Sequence, residues 1–247
     1  MARLLLPISI QLWEATASIS IMQMLAEQAE SNIANAVEKA DLPGAVTEGE
    51  YMDEGQDEYG EIYTYQQSYY SCGSCVGLDH DEVKSEYKHL ITQLTRRSAF
   101  LTIFGLFEHR MSGCLNVMIN RSDYRGEIKG GTVEKAHTIL TDVIGGKDIV
   151  DLDHLTIIRN IMAHGDGVAS GYKEILYKKS KKTDREKRLQ RAIHRAEYES
   201  SGISVNRVDG VLMDGRFLMY AVGEIKRYVE NLEAAVQAYD TAKGCNT

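Results

Sequence analysis

A short stretch of the chain, RNIMAHGDG at residues 159–167, contains three side chains with the chemistry to cleave a phosphodiester bond. A histidine such as His164, with an unperturbed pKa of about 6.5, can accept or donate a proton near neutral pH. The planar guanidinium of Arg159 can bind two phosphate oxygens, and Asn160 can orient either group. These residue types suit cleavage of RNA by attack of its own 2′-hydroxyl, a reaction that needs no metal.

The stretch has helical spacing, which separates its apolar and polar sides. Asn160 and His164 are four residues apart and share a face, while Arg159 lies on the flank. The apolar side carries Leu155, Ile158, Ile161 and Met162. A helix-terminal histidine and an arginine paired with a carboxylate would give the same pattern without catalysis. The motif alone therefore leaves catalytic and structural roles open.

Glu108 is a fourth candidate residue because it falls on the apolar stripe of a long predicted helix. A carboxylate there is costly unless a cation or a hydrogen-bond donor faces it, and Arg159 is an available partner. The alternative is that Glu108 lies at the exposed edge of the stripe.

A strongly basic segment follows the motif in a chain of net charge -8. Residues 173–199 carry ten Lys or Arg, four Glu and one Asp, and such a cluster can neutralise RNA phosphates. A solvated helix face is the alternative. The candidate RNA-binding residues are Lys178, Lys179, Lys181, Lys182, Arg185 and Arg188.

The surrounding sequence predicts an all-α helical bundle in a single domain over residues 1–247. Two prolines in 247 residues and a hydrophobic fraction of 43% favour long helices around a core. Five helices are expected, over residues 8–40, from Asp79 or Asp81 towards 120, over 132–144, over 151–164 with Gly165 after its end, and from Asp214 onward. ISVNRVDGVLM predicts a small β-hairpin before the last helix.

Residues 41–82 interrupt this pattern. No Lys or Arg occurs between Lys39 and Lys84, and acids, tyrosines and glycines follow one another without helical period. The segment is interpreted as an acidic, tyrosine-rich insertion or mobile loop.

The four cysteines predict no metal site and no cofactor. Cys72 and Cys75 form a lone CxxC without a second ligand pair, and Cys114 and Cys245 are isolated. A reducing, cytoplasmic environment is expected. The start of the chain is interpreted as a first helix instead of a signal peptide, and no apolar run reaches the roughly 20 residues of a membrane span.

The motif, the preceding FGLFEHRMSGCLNVM and the hairpin-then-helix ending together resemble the HEPN superfamily over residues 84–240. The resemblance implies metal-independent RNA cleavage at the cleft of a homodimer, in toxin or antiviral-defence systems, with the roles on Arg159, Asn160 and His164. It also admits an antitoxin or regulatory partner, although Asp166 stands where one branch has a tyrosine. A non-catalytic RNA- or nucleotide-binding module is the main alternative, and a helical adaptor is the third.

Overall fold

The computed structural model describes residues 9–199 and 201–244, which are mostly helical. Seven α-helices are present: α1 Ile10–Ala40, α2 His80–Ser122, α3 Thr132–Ile139, α4 Asp153–His164, α5 Tyr172–Tyr177, α6 Asp184–Tyr198 and α7 Phe217–Gly244. Five short or exposed strands are present: β1 Thr47–Gln56, β2 Ile62–Cys72, β3 Cys75–Gly77, β4 Ile203–Val205 and β5 Val211–Met213. The chain forms two compact units, Gln28–Arg96 and the remainder.

The larger unit contains the core that the helical spacing of α2 predicts. Along α2 the side chains of Phe100, Phe104, Phe107 and Met111 are fully buried at spacings of three and four. Cys114 continues this row, and burial raises the pKa of its thiol to about 12. The helix begins as expected, because the Asp79 carboxylate accepts hydrogen bonds from the backbone N–H groups of Asp81 and Glu82.

The third predicted helix is present but changes its geometry before it ends. After α3 the chain continues as one π-helical turn, Leu140–Ile144. Gly145, with φ 101°, then ends the element, and the N–H groups of Gly145 and Gly146 both donate to the Leu140 carbonyl. The prediction of a helix over residues 132–144 ended by glycine is therefore confirmed.

Helix α4 ends at His164 as predicted, with Leu155, Ile158 and Met162 buried. Gly165 follows the end of the helix as predicted, but it is not the residue that reverses the chain. Gly165 has φ -108°, and the left-handed residues are Asp166 and Gly167. The Gly165 N–H completes the last helical turn on Ile161, so the reversal falls one residue later.

The basic segment forms two helices, α5 and α6, which raises the number of helices from the five predicted to seven. Thr183 caps α6, accepting a hydrogen bond from the Glu186 N–H while Glu186 accepts one from the Thr183 N–H. Ala192, Ile193 and Ala196 form its buried side. The hairpin β4–β5 is confirmed, with Asp209 in the left-handed region at φ 61°.

The smaller unit corrects the interpretation of residues 41–82 as a loop. Strands β1, β2 and β3 form an antiparallel sheet in that order, and β1 pairs with β2 without a bulge from Thr47↔Ser71 to Gln56↔Ile62. Its ribbon is largely exposed, so the alternation of apolar and polar residues that marks a half-buried strand is missing. The strands meet a small core of Ala40, Cys72, Cys75 and Val83. The fold is thus mostly helical with two small sheets, and not all-α.

No helix in residues 9–199 or 201–244 is both long enough and apolar enough to cross a lipid bilayer.

Candidate functional site

An open groove in the larger unit brings part of the RNIMAHGDG motif next to the basic segment. The groove has a volume of about 1540 Å³ and lies between the C-terminal half of α4, the loop after it, α5 and the start of α6. Asn160 and His164 line one side, and Lys178, Arg185 and Arg188 line another. Enclosed small-molecule sites are usually about 300–1,000 Å³, so an open groove of this size fits a chain-like ligand better.

His164 is the last residue of α4, and its side chain is exposed at the groove. Its imidazole has no hydrogen-bond partner in the described part of the chain. The ring nitrogens are therefore available to form hydrogen bonds with a bound ligand.

Arg159 is held by neighbouring side chains instead of facing the groove. Its guanidinium forms an ion pair with Glu108 and donates from Nη1 to Asn160 Oδ1 at 2.9 Å. It also lies over the Phe104 ring, 5.9 Å from the ring centre. The side chains of Arg159 and Glu108 are only 27% and 24% exposed, so the pair is partly shielded from water. Glu108 is therefore paired with Arg159, the partner predicted from its position on the apolar stripe.

One chain does not bring Arg159 and His164 to the same face. A separation of five positions, as between Arg159 and His164, turns an α-helix through a net angle of about 140°, whereas the separation of four between Asn160 and His164 turns it through about 40°. The groove accordingly contains Asn160 and His164 but not Arg159.

Three of the six candidate RNA-binding cations have partners within the protein. Lys178 pairs with Glu186 at 2.6 Å, which helps to lower the pKa of that carboxyl to about 2. Lys182 donates to the Gln190 side chain at 2.8 Å. Arg188 bridges Glu134 and Asp153, and these contacts raise its pKa.

The other three cations have their charge available to a ligand. The side chains of Lys179, Lys181 and Arg185 are exposed, and none forms an ion pair with a described residue. Only Arg185 of these three lines the groove itself.

A buried polar network beside the motif has no counterpart among the sequence predictions. His154, on α4, is 1% exposed, and its Nε2 lies 2.9 Å from the Tyr220 hydroxyl, which donates to Glu199. Burial lowers the pKa of His154 to about 4, and Arg195 adds to the effect. The sequence feature that could have identified His154 is its position four residues before Ile158, which places it on the core face of α4.

Among the described residues, three side chains of this network have the ligand types and the spacing that could hold a metal ion. The ligand atoms of His154, Glu199 and Glu224 all lie within 4.8 Å of one another. However, Arg195 binds both carboxylates, and Arg227 binds Glu224 at 2.8 Å. Two arginines already balance the two carboxylates, so the group fits a hydrogen-bonded structural network better than a cation site.

No protein family, characterised protein or solved structure is significantly similar to this chain. The resemblance to the HEPN superfamily stays a prediction from the motif and the order of the elements.

Proposed function

We propose that the protein is a metal-independent endoribonuclease of the HEPN type that binds RNA in the groove beside α4. The observation that carries the proposal is the shared position of His164 and Asn160 in one open groove with Arg185, a cation that forms no ion pair with a described residue. A proton-transfer group, an amide and positive charge are the elements that cleavage of a phosphodiester requires. A role in toxin or antiviral-defence systems, with an antitoxin or regulatory partner, follows from the resemblance.

The reaction assigns a separate task to each residue. The 2′-hydroxyl loses its proton and attacks the phosphorus, the bond from phosphorus to the 5′-oxygen breaks, and that oxygen takes up a proton. The products are a 2′,3′-cyclic phosphate and a 5′-hydroxyl. His164 transfers a proton, and the amide NH₂ of Asn160 donates to a phosphate oxygen, since the Asn160 carbonyl is bound by Arg159. Arg159 is therefore a positioning residue in this geometry, and Glu108 holds it.

A homodimer supplies the second proton-transfer group. Cleavage needs one group to remove a proton and another to supply one, and the motif contributes one histidine per chain. A two-fold interface that places two α4 helices together presents the same patch from each side. Such a dimer would bring a second His164 to the cleft.

The second candidate function is a non-catalytic RNA- or nucleotide-binding module. The observation in its favour is that Glu108 neutralises Arg159, the cation expected to stabilise the charge that develops on the phosphate. In such a module the groove would bind RNA without breaking it.

The test is incubation of the pure protein with total RNA and with tRNA, with and without EDTA. Cleavage that persists in EDTA and is lost in His164→Ala supports the proposal. His109→Ala is the matched control, because His109 is an exposed histidine outside the groove. RNA binding without cleavage selects the binding module, and cleavage that magnesium restores after chelation excludes the mechanism.

A further inference from the structure

The smaller unit carries an exposed β-ribbon whose two faces differ in composition. Because paired residues in antiparallel strands share a face, the register of β1 and β2 assigns each side chain to one side. One face carries Tyr51, Tyr63, Tyr65, Tyr69 and a single acid, Asp53. The opposite face carries three acids and two exposed apolar side chains: Glu48, Glu50, Glu54, Met52 and Ile62.

The four tyrosines follow one another along one face of the ribbon, and we call this side the tyrosine face. The four successive pairs Gly49↔Tyr69, Tyr51↔Gln67, Asp53↔Tyr65 and Gly55↔Tyr63 each contain one aromatic ring. Two residues of a strand span about 6.8 Å, so the rings mark out roughly 20 Å. The rings of Tyr51 and Tyr69 are 6.2 Å apart, and those of Tyr63 and Tyr65 are 5.8 Å apart.

The two glycines of the tyrosine face allow the rings to lie flat across the ribbon. A Cβ atom on Gly49 would collide with the Tyr69 ring, and one on Gly55 would collide with the Tyr63 ring. Both rings therefore cover backbone on the facing strand. The side chains of Tyr51, Tyr63 and Tyr65 are nevertheless 39%, 50% and 39% exposed, so the row is uncovered. The Tyr65 hydroxyl donates to the Asp53 carboxylate at 3.2 Å, which places a negative charge within the row.

The ribbon also has an unpaired edge. β1 is an outer strand of ten residues, and no described strand pairs with its outer side. An unpaired edge offers N–H and C=O groups to an added strand, whose alternate side chains would then lie over one face of the sheet.

The charge of the ribbon determines which added strand fits. Residues 47–61 contain seven acids, and the chain has no Lys or Arg from residue 40 to residue 83. This charge opposes a nucleic acid strand. It also opposes pairing of β1 with the β1 of a second copy, which would set acids against acids.

We propose that the β1 edge and the tyrosine face bind an extended, arginine-rich segment of a partner protein. In this complex the segment pairs with β1, and its alternate arginines lie over the tyrosine rings at the matching spacing of two residues. A guanidinium stacks on the face of a tyrosine ring and pairs with a carboxylate in its plane, and the tyrosine face provides both groups.

The experiment measures binding of a fluorescent peptide of about ten residues, the length of β1, in which arginine alternates with threonine. Fluorescence anisotropy with the full-length protein is expected to give saturable binding that weakens with salt. The double variant Tyr51→Ser with Tyr65→Ser should bind roughly tenfold more weakly, from about two- to fivefold for each ring. Met52→Ser is the matched control, because Met52 is 64% exposed on the opposite face of the same strand.

Modified peptides test whether the segment binds as a strand. Two peptides are compared, one methylated on the odd-numbered backbone nitrogens and the other on the even-numbered ones. Only one of these two sets of N–H groups faces β1 in an added strand, so one methylated peptide should lose binding and the other should keep it. Binding by both methylated peptides would overturn the added strand.

Three other results would overturn the proposal. The first is that the arginine peptide does not bind. The second is that the tyrosine variant and the Met52→Ser control lose the same amount of peptide affinity. The third is that a glutamate–threonine peptide or oligouridine binds as tightly as the arginine peptide. None of these measurements depends on RNA cleavage, so failure of the proposed ribonuclease function would leave this test intact.

Discussion

The burial of His154 predicts a specific loss of stability in mild acid. Its folded-state pKa of about 4 lies below the ordinary value of 6.5, mainly because burial disfavours the charged ring. Arg195 also disfavours the charge, whereas the carboxylates of Glu199, Glu224 and Asp151 partly offset the effect. The unfolded chain therefore takes up this proton first as the pH falls.

The sign and size of the effect follow from that difference. His154 contributes stability that is fully present above pH 6.5 and is lost as the pH falls towards 4. The complete loss is roughly 3 kcal/mol, and the loss between pH 7 and pH 5 is about 2 kcal/mol.

Urea unfolding followed by circular dichroism at pH 7 and pH 5 measures this loss. His154→Phe keeps an aromatic ring but cannot titrate, so the drop between the two pH values should shrink by about 2 kcal/mol. At pH 7 the variant should be less stable by about 1 kcal/mol, because the hydrogen bond with Tyr220 is lost. His109→Gln, at an exposed histidine, should keep the full drop. An unchanged drop in His154→Phe would refute the reasoning.

Three further predictions concern the candidate site. Arg159→Ala should abolish cleavage. It should also lower the free energy of unfolding by about 1–3 kcal/mol, because Glu108 loses its partner. An unchanged free energy of unfolding in urea would contradict a stabilising Glu108–Arg159 pair. Replacing the three unpaired cations with glutamine should make RNA affinity depend less steeply on salt concentration. An unchanged salt dependence would show that RNA binds to another surface. That variant replaces Lys179, Lys181 and Arg185. Mixing wild-type chains with excess His164→Ala chains should reduce cleavage as the square of the wild-type fraction, and a linear decline would argue against a shared dimer cleft.

The sequence predicts the long helices well because their buried apolar residues recur every three or four positions within each helix. The apolar spacing of α2 lies within the helix and its cap, Asp79, directly precedes it, and the Asp209-Gly210 turn identifies its hairpin in the same way. The Glu108–Arg159 pair was predictable for a related reason, since a carboxylate on an apolar stripe needs a cation.

Features that depend on distant contacts or on exposed strands were not predictable in this way. β1 and β2 have no continuous buried face, so their mixture of acids, tyrosines and glycines was interpreted as an irregular loop. Arg188 was predicted to bind RNA, yet its partners Glu134 and Asp153 lie 54 and 35 residues away in the chain. Helix α6 has few apolar residues, and only the pairing of Thr183 with Glu186 marked its start.

The most direct test of the proposed mechanism is the chemistry of the cut ends. A defined RNA is incubated with the pure protein in EDTA, and the termini of the fragments are identified by mass spectrometry. The proposed mechanism predicts 2′,3′-cyclic phosphate and 5′-hydroxyl ends with the wild-type protein and intact RNA with His164→Ala. Fragments with 5′-phosphate ends, or unchanged cleavage by His164→Ala, would contradict it.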